Sequence, residues 1–297
     1  MKKNIIFLSF FLLLNSYIFA KEIYFYKVQN YCVEYKGEEY KVIRSFYEKK
    51  KPFVLAVNTN SLKTDIFKKG FEDKKVVCKD SKFLQLLRCS CSSSHPLVND
   101  GIRSFKYGLY LTTDMCPSSQ KGYEREFYKE VIKRFANPVP ITIFVTKRWI
   151  KSHKSAFKEL KRWDEEGKLA ITWGNHTAYH FYKRGLPISQ NFVLYRHEHL
   201  KDDVLELEKY LIENGVTPSV FFRFPGLVSN KKAVKIIEEL SLVILGSDAW
   251  IAKNEMPKDG SIILVHGNKN EHIGIKKLLK YFKTIDSEEL YPVESAF

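Results

Sequence analysis

From about residue 104 onward, apolar runs of strand length alternate with amphipathic stretches of helical length. The apolar runs lie near 106–113, 140–146, 168–173, 218–223, 241–246 and 260–266, and the helical stretches near 121–136, 151–166, 198–214, 230–240 and 273–284. Such alternation predicts parallel strands joined by crossover helices, arranged as a barrel or as a doubly wound sheet. No glycine-rich phosphate loop follows the first strand, which argues against a nucleotide site.

In such folds, chemistry gathers at the carboxyl ends of the strands. Here those ends carry reactive side chains in succession. The first run ends Thr112-Thr113-Asp114-Met115-Cys116, the third leads into Asn175-His176-Thr177-Ala178-Tyr179-His180, and the fourth ends Arg223-Phe224-Pro225. The fifth ends Asp248-Ala249-Trp250 and the sixth Leu264-Val265-His266. Singly, each has a structural explanation: Asp114 as a helix cap, Arg223 in an ion pair, Trp250 in the core. Together they point to one site. His176 and His180 stand four residues apart, a spacing that puts two imidazoles on one face of a helical turn within reach of one metal ion.

Residues 21–95 read differently. Alternating segments such as Glu22–Val28 and Pro52–Val57 suggest a small strand-rich domain, followed by a linker over 96–103. Four of the five cysteines, Cys32, Cys78, Cys89 and Cys91, lie before residue 96, which in an oxidising compartment suggests two disulfides. Cys89 and Cys91 are too near each other for easy mutual bonding, so each is expected to pair with Cys32 or Cys78, the connectivity being open. The first twenty residues resemble a signal peptide. Lys2 and Lys3 precede an apolar stretch over Ile5–Leu14, and a cut after Ala20 would leave about 277 residues. Export would place the protein in the periplasm or cell envelope of a bacterium. The formal charge of +15 is spread over many lysines, which fits an anionic cell-wall or membrane surface and shows no nucleic-acid motif. The oligomeric state has no signature in the chain.

Over about residues 104–285 these motifs resemble the polysaccharide deacetylases that share the NodB homology domain (carbohydrate esterase family 4). Thr112-Thr113-Asp114-Met115-Cys116 aligns with the family's Thr-Phe-Asp-Asp-Gly, and His176-Thr177-Ala178-Tyr179-His180 meets its His-Ser/Thr-x-x-His in full. Arg223-Phe224-Pro225 approximates the third motif, Asp248-Ala249-Trp250 resembles the fourth with altered spacing, and Leu264-Val265-His266 meets the fifth, Leu-x-His, all in the family's order. The resemblance implies an α/β fold, a distorted (β/α) barrel of the NodB-homology type spanning 104–297, here preceded by the small strand-rich, disulfide-containing domain. It implies a hydrolase removing N-acetyl groups from peptidoglycan or another N-acetylglucosamine polymer. It also implies a divalent metal, zinc with cobalt or nickel as alternatives, held by His176 and His180. The implied catalytic roles are Asp114 as base, His266 as acid, Arg223 orienting Asp114 and Asp248 holding His266 in its useful tautomer. Leu264, Trp250, Phe224 and Pro225 would line the substrate pocket. A catalytically weakened glycan-binding protein, or a hydrolase of O-acetyl esters or small amides, are the alternatives.

One position departs from the family pattern. Family members carry two adjacent aspartates in the first motif, base then ligand, and the second is Met115 here. A thioether is a poor ligand for a hard or borderline ion. Three outcomes stay open: Asp114 as base with metal held by two histidines plus water or a remote carboxylate, Asp114 as ligand, or a thiolate from Cys116. On this reading Met115→Asp should tighten metal binding.

Overall fold

The computed structural model describes residues 21–89, 97–195, 197–285 and 290–296. The signal-like segment and Pro96 of the expected linker lie outside them. No helix among the described residues is long and apolar enough to cross a membrane.

The chain first builds an antiparallel sheet from β1 (Ile23–Tyr35), β2 (Glu38–Glu48), β3 (Lys51–Asn58), β4 (Thr64–Lys68) and β5 (Lys74–Val76), in the order β4-β3-β2-β1-β5. Short turns connect β1 to β4, and side chains alternate between two buried faces. In β3, Val54 and Ala56 face a cluster with Tyr40, Phe67 and Phe71, while Leu55 and Val57 face the opposite way. Cys32 on β1 is disulfide-bonded to Cys78, just beyond β5. This corrects the expectation that Cys89 and Cys91 would take those partners. β1 and β5 run side by side with Cys32 opposite Val76, so the sheet itself brings Cys78 to Cys32. Cys91 and the side chain of Cys89 lie outside the described structure.

After α1 (Lys82–Cys89) and β6 (Leu97–Val98) comes the main body. Its strands are β7 (Tyr110–Met115), β8 (Val139–Val145), β9 (Leu169–Asn175), β10 (Phe221–Phe222), β12 (Val243–Ile244), β13 (Ala249–Trp250) and β14 (Ile262–His266). They form one curled parallel sheet, ordered β12-β10-β9-β8-β7-β14-β13. Between them lie α2 (Arg125–Arg134), α3 (Lys147–Ser152), α4 (Lys154–Glu165), α5 (Phe192–Tyr195), α6 (Leu200–Glu213), β11 (Val228–Ser229) and α7 (Lys231–Glu239); α8 (His272–Phe282) follows β14. Every residue of β7 is buried, as expected of a strand covered on both faces. The outward side chains Ile141, Ile143, Val145, Ile263 and Val265 pack with Phe127, Leu160, Leu207 and Leu278 of the surrounding helices.

β12 and β13 sit at the two ends of the sheet, so the barrel is open along one seam. The segment expected as a free linker partly fills it. Ile102 N donates to Ile244 O at 3.0 Å, Gly246 N donates to Ile102 O at 2.8 Å, and Ser104 bridges to Ser261. β6 pairs with β11. These bonds satisfy edge groups that would otherwise be exposed.

The amino-terminal sheet does not stand apart from this body. Ile43, Phe46, Leu55 and Val57, together with Phe83 and Leu86 of α1, share one buried cluster with Tyr110, Phe144, Phe221, Val243, Leu245 and Ile262. The sheet and α1 therefore plug one end of the half-barrel. A buried ion pair locks the contact: Arg44 Nε and Nη2 meet Glu208 Oε2 and Oε1 of α6 at 2.7 and 2.8 Å, and Arg44 Nη1 donates to Leu240 O at 2.8 Å.

Candidate active site

β7, β9, β10 and β14 end on the same edge, opposite the plug. Alternation along β7 decides which of its side chains reach the site. Thr112 and Asp114 point inward, where Arg223 Nη1 donates to Thr112 Oγ1 and to Asp114 Oδ1, both at 2.7 Å. Arg223 follows β10, is fully buried, and is fixed further by Nη2 donating to Gly246 O at 2.8 Å. Its guanidinium lies 4.2 Å from the centre of the Phe144 ring. Met115 points the other way. It is fully buried in the cluster between sheet and helices, and a Cβ added at Gly267 would come within 2.7 Å of its Cε. The next residue, Cys116, returns to the inner side and is buried there as a free thiol.

His176 and His180 are not on a helical turn, contrary to the expectation from their spacing. The backbone is captured by side chains instead. Asn175 Oδ1 accepts from Thr177 N at 2.9 Å, Asp203 Oδ1 of α6 accepts from Ala178 N and Tyr179 N, both at 3.0 Å, and Thr177 Oγ1 accepts from His180 N at 3.1 Å. Thr177 and His180 adopt positive φ (68° and 45°). The resulting bend still brings the two rings together, with centroids 4.9 Å apart. His176 Nδ1 donates to Arg223 O at 2.8 Å, which fixes its tautomer and leaves Nε2 with a free lone pair. That Nε2 lies 3.5 Å from Cys116 Sγ and 3.8 Å from Asp114 Oδ2.

His266 ends β14 across from the histidine pair. Its Nδ1 lies 2.8 Å from Glu271 Oε2, and the same oxygen accepts the Trp250 indole N–H at 2.8 Å. The partner expected for His266 was Asp248. That residue instead accepts from Ser261 Oγ at 3.1 Å and Ile262 N at 3.0 Å. Asp248 precedes β13 rather than ending a strand, so it faces the opposite edge of the sheet. Glu271, at the start of α8, was not foreseen because neither a motif nor a strand end marks it.

These groups line a cleft of about 730 Å³ containing Asp114, Cys116, His176, His180, His266 and Glu271. Leu264 and Trp250 form part of its wall. Phe224 does not. It is buried among Phe222, Val193 and Leu200, while Pro225 lines a neighbouring cavity beside Tyr195 and Asp203. Tyr182, stacked on Phe192 with centroids 5.2 Å apart, supplies an unforeseen aromatic rim.

The charges are strongly coupled. Burial alone would raise the Asp114 pKa, but Arg223, His176 and His266 outweigh it and hold the carboxylate below its usual range. Burial likewise opposes the charged form of His266, yet Cys116, Glu271 and Asp114 together raise its pKa well above that of free imidazole.

The donor chemistry fits a divalent metal. Neither ring nitrogen of His180 has a hydrogen-bond partner, although the residue is only 8% exposed, and His176 Nε2 faces the same point. A buried imidazole with both nitrogens unsatisfied is costly unless something binds it.

Residues 106–245 match the family model described as polysaccharide deacetylase. Among solved structures, the chain is similar to a family 4 carbohydrate esterase from Bacillus anthracis, at 18% identity over 74% of this chain and 94% of that one, with a TM-score of 0.48. It is also similar to the Bc1960 peptidoglycan N-acetylglucosamine deacetylase, at 18% identity over 66% and 92% of the two chains and a TM-score of 0.49. PdaA of Bacillus subtilis, a family 4 carbohydrate esterase, matches at 15% identity over 75% and 90%, with a TM-score of 0.49. Over residues 106–245, then, the chain is similar to the polysaccharide deacetylases.

Proposed function

We propose that the protein is a metal-dependent hydrolase that removes N-acetyl groups from an extracytoplasmic polysaccharide, peptidoglycan or another polymer of N-acetylglucosamine. The observation that carries this reading is a single cleft holding the Asp114 carboxylate, the His176–His180 pair with both ring nitrogens of His180 unsatisfied, and His266 opposite them beside Glu271. Export is supported by the Cys32–Cys78 disulfide, since such bonds persist in oxidising compartments, and by the signal-like start.

His176 and His180 would hold the ion, zinc first and cobalt or nickel as substitutes. When bound, such an ion supplies Lewis acidity toward the acetamide carbonyl. Asp114 serves as base. Arg223 occupies its Oδ1, so Oδ2 is the oxygen that takes the proton from the attacking water. His266, kept protonated beside Glu271, gives its proton to the amine nitrogen as the C–N bond breaks. Leu264 and Trp250 bound the space for the acetyl methyl group.

The test is acetate release from peptidoglycan and N-acetylglucosamine oligomers, alongside O-acetylated xylan, before and after chelation. Acetate from the N-acetylated polymers alone, abolished by chelation and by Asp114→Asn, is the expected result. Release only from the O-acetylated polymer, or glycan binding without any release, would overturn it.

A further inference from the structure

We infer that Cys116 is the third protein ligand of this centre, binding as a thiolate in a Cys-His-His set. The inference rests on the metal reading above and deepens it.

Three observations narrow the choice. Asp114 Oδ1 is committed to Arg223 at 2.7 Å, which leaves that carboxylate placed as a base. Met115 is buried on the far face of β7 and has no path into the cleft. Cys116, one residue further on, comes back to the inner face, and its Sγ with one nitrogen each from His176 and His180 forms a group whose ligand atoms all lie within 4.8 Å of one another. All three residues are buried.

The spacing matches zinc. With Zn–S near ~2.3 Å and Zn–N near ~2.0–2.1 Å, a tetrahedral angle puts sulfur and nitrogen about 3.5 Å apart. Cys116 Sγ and His176 Nε2 are 3.5 Å apart. The backbone around the thiol is also pinned: Thr146 Oγ1 donates to Met115 O at 2.9 Å and Asn268 Nδ2 donates to Cys116 O at 2.7 Å. Cys116 has no disulfide partner, and the unsatisfied nitrogens of His180 supply the independent sign that a ligand belongs here. A thiolate with two imidazoles favours zinc or cobalt(II) over manganese or magnesium.

X-ray absorption at the zinc edge, with metal counting on the full chain, tests the assignment. About one zinc per chain with a sulfur scatterer near ~2.3 Å is expected. The cobalt(II)-substituted protein should show thiolate-to-metal charge-transfer absorption in the near ultraviolet. Both signatures should vanish in Cys116→Ser, and Cys116→Asp should keep metal while losing sulfur. Because the parent spectrum needs no variant, a misfolded Cys116→Ser leaves the measurement decisive. Bound zinc with only nitrogen and oxygen neighbours would overturn the thiolate and leave the metal reading standing. No bound zinc or cobalt would overturn both.

Discussion

His266 Nδ1 and the Trp250 indole N–H converge on one oxygen of Glu271, so this carboxylate both fixes the imidazole and favours its charged form. Glu271→Gln removes the charge while keeping an oxygen for Trp250. The His266 pKa should then fall, and the alkaline limb of the activity profile should move to lower pH, with turnover reduced about tenfold or more. A pH–rate profile with its alkaline limb unmoved would remove Glu271 from the mechanism. Met115 makes the opposite kind of prediction. An aspartate there would place a carboxylate in an apolar cluster with no partner, so Met115→Asp should destabilise the fold by about 3 kcal/mol or more rather than complete a metal site. Thermal melts of parent and variant check this. Asp114, Arg223, His176 and His266 were legible in the sequence because each stands at the end of a strand or directly follows one, and His180 because it stands four residues from His176. Glu271 was not, because it reaches the site from the start of a helix. Cys116 was legible only as one of three options, since the motif alignment put the missing ligand at Met115; strand alternation, counted from Asp114, places residue 116 rather than 115 on the inner face.

Asp203 holds the bend that presents His176 and His180, and its helix α6 is the element that secures the loop to the body. Burial pushes the Asp203 pKa up to about 6 from an ordinary 3.8, despite the two backbone N–H groups it accepts. The folded chain therefore keeps this proton in a range where the unfolded chain has released it. Stability from this group is complete below about pH 4, falls as pH rises toward 6, and stays reduced above, by up to about 3 kcal/mol. Asp203→Asn keeps the Oδ1 acceptor and removes the charge, so the variant should be more stable than the parent above pH 6 and equal to it near pH 4. Denaturant melts at both pH values measure this, and equal differences at the two would contradict it. The alternation of strands and helices was readable because apolar runs of six to eight residues, spaced by amphipathic stretches, read as strands. The His-xxx-His bend was misread as helical, since periodicity does not weigh the competing hydrogen bonds of Asn175, Thr177 and Asp203. Likewise the segment near 97–104 reads as a linker by composition, yet an open sheet edge recruits it.

At the scale of the whole molecule, the amino-terminal sheet was visible as strand-rich, but its role as a plug was not. Its second apolar face looks surplus until the half-barrel is there to receive it. Arg44 and Glu208 fasten the two parts, with side-chain exposures of 0% and 1%. Arg44→Met should strand a buried carboxylate and cost about 3–5 kcal/mol, while Arg44→Met combined with Glu208→Leu should recover most of the loss. Denaturant melts of the single and double variants check this, and two equally unstable variants would count against the lock. The plug has a consequence in time. Residues 21–89 emerge ahead of the half-barrel and can close their short turns at once, so the meander presents Ile43, Phe46, Leu55 and Val57 to water before the strands that will cover them have followed. The barrel is then laid down around a filling already in place. A chain started at residue 104 should accordingly be made in full and recovered as aggregate, and co-expressing residues 21–103 as a separate piece should restore soluble protein.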